Sequence, residues 1–260
     1  MPIPTSTEVI EDGHLSFRVR VVEGAWPSPP PGHNPFLPPD PELVVAALGP
    51  SHWAVLNRYS VLPDHLLVVT QQFEEQESLL TLEDFRAAWK CLWQRDVLVF
   101  YNSGTDAGAS QRHKHLQAVP LPLASSGPRI PLEPMLERVV FDGQVSRTPG
   151  LPFVHGLCKL DRGWTEDEAI QSSHDLYQQL LGALGLRPES GPGRPAPHNV
   201  LLTHEWLLIV PRSRERFETI SINALGFAGA FLVKDQSERD RLVEFGPLRA
   251  LSQVGVARGA

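Results

Sequence analysis

NSGTDAGASQRHKHLQ, residues 102–117, joins a loop with two glycines to two histidines and a glutamine at alternate positions. If residues 112–119 form a strand, side chains two apart share a face. His113, His115 and Gln117 then line one side, and Arg112, Lys114 and Leu116 line the other. Near neutral pH an imidazole that donates one N–H to a fixed acceptor keeps a lone pair on its second nitrogen, which suits attack on phosphorus. A covalent histidine intermediate also needs donors for the nonbridging oxygens. Gln117 and the backbone amides of Gly108, Ala109, Ser110 and Gln111 are candidates for that work. The same histidines also suit a plainer role as polar residues of a half-buried strand. Alternate histidines can ligate zinc, but Gln117 is a poor ligand and no third ligand stands nearby, so no metal ligand is assigned. The loop carries no Walker, dinucleotide-binding or kinase signature.

Outward from this stretch, alternation and capping signals give the neighbouring elements. Residues 53–57 and 65–70 read as paired strands around a turn. Thr81 reads as the N-cap of a helix whose apolar residues Phe85, Ala88, Trp89 and Leu92 recur at helical spacing, ending near Gln94 or Arg95. Residues 97–101 read as a buried strand. In the second half the expected order is a turn-rich stretch (125–134), a strand (153–160), a helix (166–184), a Pro/Gly-rich loop (187–197), a tight hairpin (199–203 and 206–210), an apolar run (220–233) and a charged closing helix (237–245). The proline-rich stretch WPSPPPGHNPFLPPDP, residues 26–41, should run extended over the surface, with Asn34, Pro35 and Phe36 as anchors. The two halves, 1–123 and 124–260, echo each other loosely, NVLLTHEWLLIVPRS beside WAVLNRYSVLPDHLLVVT. The expected fold is therefore α+β, a histidine-triad-like antiparallel sheet with helices, built by a degenerate duplication into one pseudo-dimeric catalytic unit.

With 260 residues, 42% of them hydrophobic and 20% charged, the chain can bury a sizeable core. A net charge of -7 disfavours broad binding to nucleic acid while leaving room for a small anionic ligand. Cys91 and Cys158 are too few for a disulfide scaffold, and each is expected to be a buried thiol. The first 25 residues show no basic start followed by an apolar run, and no membrane span is evident, so the cytoplasm is the expected compartment.

YNSGTDAGASQRHKHLQ, with HNPFLPPDPEL, VLNRYSVLPDHLLVVT, NVLLTHEWLLIVPRS and ISINALGFAGAFLV, resembles the diadenosine tetraphosphate phosphorylase (ATP adenylyltransferase) family. That family belongs to the His-x-His-x-Gln branch of the histidine-triad superfamily, with the galactose-1-phosphate uridylyltransferases. Together these blocks cover most of the chain. The resemblance implies that His115 attacks an α-phosphate of diadenosine tetraphosphate (Ap4A), ATP leaves, and inorganic phosphate takes the adenylyl group to give ADP. By the same resemblance His113 supports the nucleophile and Gln117 contacts the transferred phosphoryl group. Substrate contacts carried over by matched motif are Asn57, Arg58, Asn102, Gly108, Ala109, Ser110, Gln111, Thr203 and Arg212. One position departs: His33 stands where the family tends to have a basic residue before Asn-Pro-Phe. A divalent cation, magnesium, is expected to travel with the nucleotide, with no organic cofactor, and a pseudo-dimer is expected to act as a monomer. A related nucleotidyltransferase, a dinucleoside polyphosphate hydrolase and an inert nucleotide sensor stay open as alternatives.

Overall fold

The structure is a computed structural model that describes residues 3–24, 33–124, 126–139, 141, 146–187 and 194–257. Its elements in chain order are β1 (Thr5–Asp12), β2 (Leu15–Val22), β3 (Val44–Ala47), β4 (His52–Leu56), β5 (Leu66–Thr70), α1 (Leu82–Gln94), β6 (Val97–Asn102), a 3-10 turn (Thr105–Ala107) and β7 (His115–Pro120). They continue with α2 (Glu133–Leu136), β8 (Gly156–Lys159), α3 (Glu166–Ala183), β9 (His198–Leu202), β10 (Trp206–Pro211), β11 (Arg216–Phe217), β12 (Ile220–Ser221), α4 (Ala224–Phe227), β13 (Ala230–Val233), α5 (Gln236–Phe245) and α6 (Pro247–Val254).

Both long helices start on the same device. Thr81 and Thr165 accept the amide of the residue three ahead, while Asp84 and Glu168 reach back to the cap amide, satisfying donors that the first turn leaves free. The two helices lie together on one face of an eight-stranded sheet ordered β3-β4-β5-β7-β6-β9-β10-β8, all of whose pairs are antiparallel. Alternation along the central strands decides which side chains meet them. Val99, Tyr101, Leu116, Ala118, Val200, Leu202, Leu207 and Ile209 join Phe85, Trp89, Ile170 and Tyr177 in one core. Phe100, Val119, Leu201, Leu208 and Val210 face the other way, into a second core shared with a three-stranded sheet, β1-β2-β13, and with α4 and α6. In that smaller sheet β13 runs parallel to β2, across most of the chain's length. The architecture is mixed α+β and dominated by antiparallel pairing.

Strand order is symmetric about the β6–β9 pair. β5, α1, β6 and β7 follow one another as β8, α3, β9 and β10 do, and the strands take mirrored places, β5-β7-β6 against β9-β10-β8. The topological counterpart of β9–β10 is therefore β6–β7, whereas the sequence echo set that segment beside β4–β5.

Several boundaries differ from expectation. The histidine strand begins at His115, because residues 112–114 leave the ladder to meet the loop before α1, with His113 bridged only to Glu75. The strand expected over 153–160 is regular only from Gly156, and Phe153 bridges Ala257 instead. The apolar run 220–233 breaks into β12, α4 and β13, with Asn223 capping α4. Sequence reading assigned no element before Trp53, yet β1, β2 and β3 precede it, and α6 follows the closing helix. Residues 26–32 of the proline-rich stretch, residue 125 of the turn-rich stretch and residues 188–193 of the Pro/Gly-rich loop lie outside the described residues. Both cysteines are buried and free, and burial raises each thiol to about 11. Among the described residues no helix is long and apolar enough to cross a membrane.

Candidate functional site

β7 carries His115 and Gln117 on the sheet face away from α1 and α3, where Val69 of β5 stands opposite His115 and Phe100 of β6 opposite Gln117. Phe36, from the end of the proline-rich stretch, closes over the histidines, its ring 5.2 Å from His115 and 5.8 Å from His113. Phe73 meets His113 edge-on from the side at 5.5 Å and is itself exposed.

The two imidazoles are in opposite hydrogen-bonding states. His113 Nε2–H donates to the Thr70 carbonyl at 2.8 Å, and a neutral ring then offers Nδ1, which accepts from Asn34 Nδ2 at 3.0 Å. The Asn34 amide is oriented by the Phe36 amide, which donates to Asn34 Oδ1. Both nitrogens of His113 are thus engaged. His115 Nδ1–H donates to the His113 carbonyl at 2.9 Å, which places the lone pair on Nε2, and Nε2 has no partner among the described residues. Burial pushes the His115 imidazole down to about 4, against the raising effect of that carbonyl, so the ring is neutral at pH 7.

Gln117 is oriented from behind. The Tyr59 amide donates to Asn57 Oδ1, turning Asn57 Nδ2 toward His65 Nδ1 at 3.4 Å, and His65 Nε2–H donates to Gln117 Oε1 at 2.9 Å. Among the described residues the Gln117 Nε2 donors have no partner. Burial holds His65 at about 4, so it too stays neutral.

Asn102 accepts on Oδ1 from Asn199 Nδ2 at 2.8 Å and from the Ala224 amide at 2.9 Å, and among the described residues its own Nδ2 has no partner. Gly108 has φ 88°, and a Cβ there would meet the Ile222 carbonyl oxygen at 2.8 Å, so its close approach is to the segment before α4. The Gly108 and Ala109 amides are taken by Thr105 and Gly104 carbonyls, which removes them from the expected phosphate cradle. Among the described residues no backbone carbonyl engages the amides of Ser110 and Gln111, which stay available.

Four expected substrate contacts are engaged by the protein itself. Arg212 is buried, and its five N–H donors go to Val254 O, Ala107 O, Asn199 Oδ1, Arg214 O and Glu215 O. No donor is left for a phosphate, and the side chain clamps the 3-10 turn to β9. Thr203 is fully buried and accepts from the Glu205 and Trp206 amides, so it shapes the β9–β10 turn. Arg58 is exposed and paired with Asp40, while Asn57 serves His65. Sequence reading passed over Thr70, His65, Asn199 and Gln76. Gln76 is buried and bonds the carbonyls of Asn102 and His115 and the amide of His115, tying β6 to the start of β7.

Residues 1–138 match the Ap4A phosphorylase N-terminal domain, and residues 149–257 match the ATP adenylyltransferase C-terminal domain. The chain belongs to the Ap4A phosphorylase family. Among members of that family, diadenosine 5',5'''-P1,P4-tetraphosphate phosphorylase 2 of Saccharomyces cerevisiae is 32% identical over 81% of this chain and 72% of its own length. Protein APA1 of the same yeast is 28% identical over 83% of this chain and 73% of its own. The crystal structure of yeast Ap4A phosphorylase Apa2 superposes on the whole of this chain and 90% of its own, with TM-score 0.80 and 27% identity. Apa2 in complex with Ap4A matches with TM-score 0.78 at 25% identity, over the whole of this chain and 92% of its own. A uridylyltransferase structure at 19% identity, TM-score 0.52, over 94% of this chain and 98% of its own, shares the fold. Membership of the Ap4A phosphorylase family makes the chain a nucleotidyltransferase.

Proposed function

We propose that the protein cleaves Ap4A by phosphorolysis through an adenylyl group held on His115. One observation carries the reading: of the two motif histidines, only His115 has a ring nitrogen free of partners among the described residues, and its tautomer puts the lone pair there. His115 Nε2 bonds the α-phosphorus as the bond from that phosphorus to the leaving oxygen breaks, releasing ATP. A phosphate oxygen then attacks the same phosphorus, the N–P bond breaks, and ADP leaves with the ring restored to neutral. Gln117 Nε2, Asn102 Nδ2 and the amides of Ser110 and Gln111 are the donors proposed to hold the nonbridging oxygens, preorganised by the bonds that fix their other ends. His113, locked at both nitrogens, holds the nucleophile through its carbonyl.

Among the described residues no group of three or more histidine, cysteine, aspartate or glutamate side chains is arranged to hold a metal. Magnesium is proposed as part of the incoming nucleotide because the leaving polyphosphate carries several negative charges to neutralise. Likeness to Apa2, whose structure is known with Ap4A and with AMP, supports the nucleotide class. A monomer working in the cytoplasm completes the proposal. Incubation with Ap4A, with and without phosphate, tests it by its products: ATP with ADP only when phosphate is present supports phosphorolysis, and AMP formed without phosphate shows hydrolysis instead.

A further inference from the structure

Lys114 lies between the two motif histidines, yet its side chain points through the sheet to the start of α1 and is 0% exposed. Its three N–H donors are all used, on Asp84 Oδ2 at 2.6 Å, Glu74 Oε2 at 3.1 Å and the Leu79 carbonyl at 3.1 Å. Asp84 also accepts from His52 Nε2 at 2.9 Å and from the Thr81 amide and hydroxyl at 2.7 and 2.8 Å. Burial alone would raise the Asp84 carboxyl, but hydrogen bonding by His52 and the charge of Lys114 bring it down to about 2, so Asp84 is a carboxylate. An apolar side chain would fill this position without desolvating an ammonium. Replacing a buried pair by apolar residues is often neutral or stabilising, and in some proteins such a pair is kept because it selects one geometry, the role inferred for it here.

That geometry concerns a single peptide unit, the one joining His113 to Lys114. Its N–H donates to the Glu74 carbonyl at 2.8 Å, and its C=O is the acceptor for His115 Nδ1–H. The Lys114 carbonyl in turn receives the Thr70 amide at 3.2 Å. We propose that Lys114 is a positioning residue, whose ion pair with Asp84 fixes the peptide unit whose carbonyl selects the tautomer of His115. Released from Asp84, the peptide unit turns more freely, His115 loses its Nδ1 acceptor, and the Nε2–H tautomer without a usable lone pair becomes populated. This rests on His115 being the nucleophile.

The test uses the double variant Lys114→Met with Asp84→Asn, which removes both charges and leaves neither buried alone. Adenylyl-enzyme formation should slow about tenfold with KM for Ap4A within about twofold of wild type. Nitrogen-15 NMR of the substrate-free protein should show His115 wholly as the Nδ1–H tautomer in wild type and as a mixture in the variant. Unchanged His115 signals, or adduct formation within about twofold of wild type, would overturn the proposal. If the double variant does not fold, Glu74→Gln, at the half-exposed end of the network, replaces it, with a loss of about two- to threefold expected and no change overturning the idea. Absence of any adduct in wild type would defeat the functional reading, whereas the tautomer signal, read without substrate, decides the role of Lys114 separately.

Discussion

His113 and His115 have the same side chain two residues apart, and their difference lies entirely in their neighbours. Thr70 and Asn34 occupy both nitrogens of one, and the first histidine's own carbonyl occupies only one nitrogen of the other. Alternation on a strand is visible in a sequence; the partners that break the equivalence come from segments up to 79 residues away and are not. Arg212 teaches the same lesson in reverse. An arginine in a matched motif reads as a phosphate ligand, but its five donors are all spent on protein acceptors. Arg212→Ala should therefore destabilise the fold by about 3 kcal/mol, through buried acceptors left unpaired, with KM for Ap4A in the folded fraction little changed. Urea denaturation beside steady-state kinetics checks this, and a large KM rise at undiminished stability would restore the phosphate contact.

Among the elements, those with local signals were legible. Thr81 and Thr165 announce α1 and α3 through capping boxes, and the short His204-Glu205 gap between two apolar runs announces the β9–β10 hairpin, whose first strand ends one residue early, at Leu202. Others depend on distant pairing. β2 alternates Phe17, Val19 and Val21 with Arg18 and Arg20, but nothing near it in sequence says that β13 is its parallel neighbour. The 3-10 turn after β6 was expected as a phosphate loop, and its glycine turns out to be required by packing against Ile222 and Asn223. Gly108→Ala is expected to cost more than about 1 kcal/mol, since both the positive φ and the close carbonyl oppose a Cβ. A thermal melt equal to wild type would contradict that packing role.

Across the whole molecule, the mirrored order of β5-β7-β6 and β9-β10-β8 places the motif strand next to the central pair, where both halves support it. This is the arrangement a duplication would produce, and we propose that origin. The cost of burying neutral imidazoles, two of them at the site and a third, His198, beside Tyr177, appears in the pH dependence of stability. Burial holds His65, His115 and His198 each at about 4, below the ordinary 6.5, so between those values the unfolded chain binds more protons than the folded one. The stability from these neutral rings is present above pH 6.5 and is lost as pH falls toward 4, at about 1.4 kcal/mol per unit of pKa difference for each ring. Asp84, held at about 2 against an ordinary 3.8, adds a further loss below that ordinary value. Urea midpoints at pH 7, 5.5 and 4.5 should fall in that order, and equal midpoints would contradict the buried neutral state.

The central claim is the covalent role of His115. The direct measurement is to mix the protein with Ap4A in the absence of phosphate, trap an acid-labile, base-stable adenylyl adduct and locate it by peptide mass spectrometry. The account predicts one adenylyl group on His115, ATP released in equal amount, ADP formed when phosphate is then added, and no adduct in His115→Ala. Full turnover by His115→Ala, or an adduct on another residue, would contradict it.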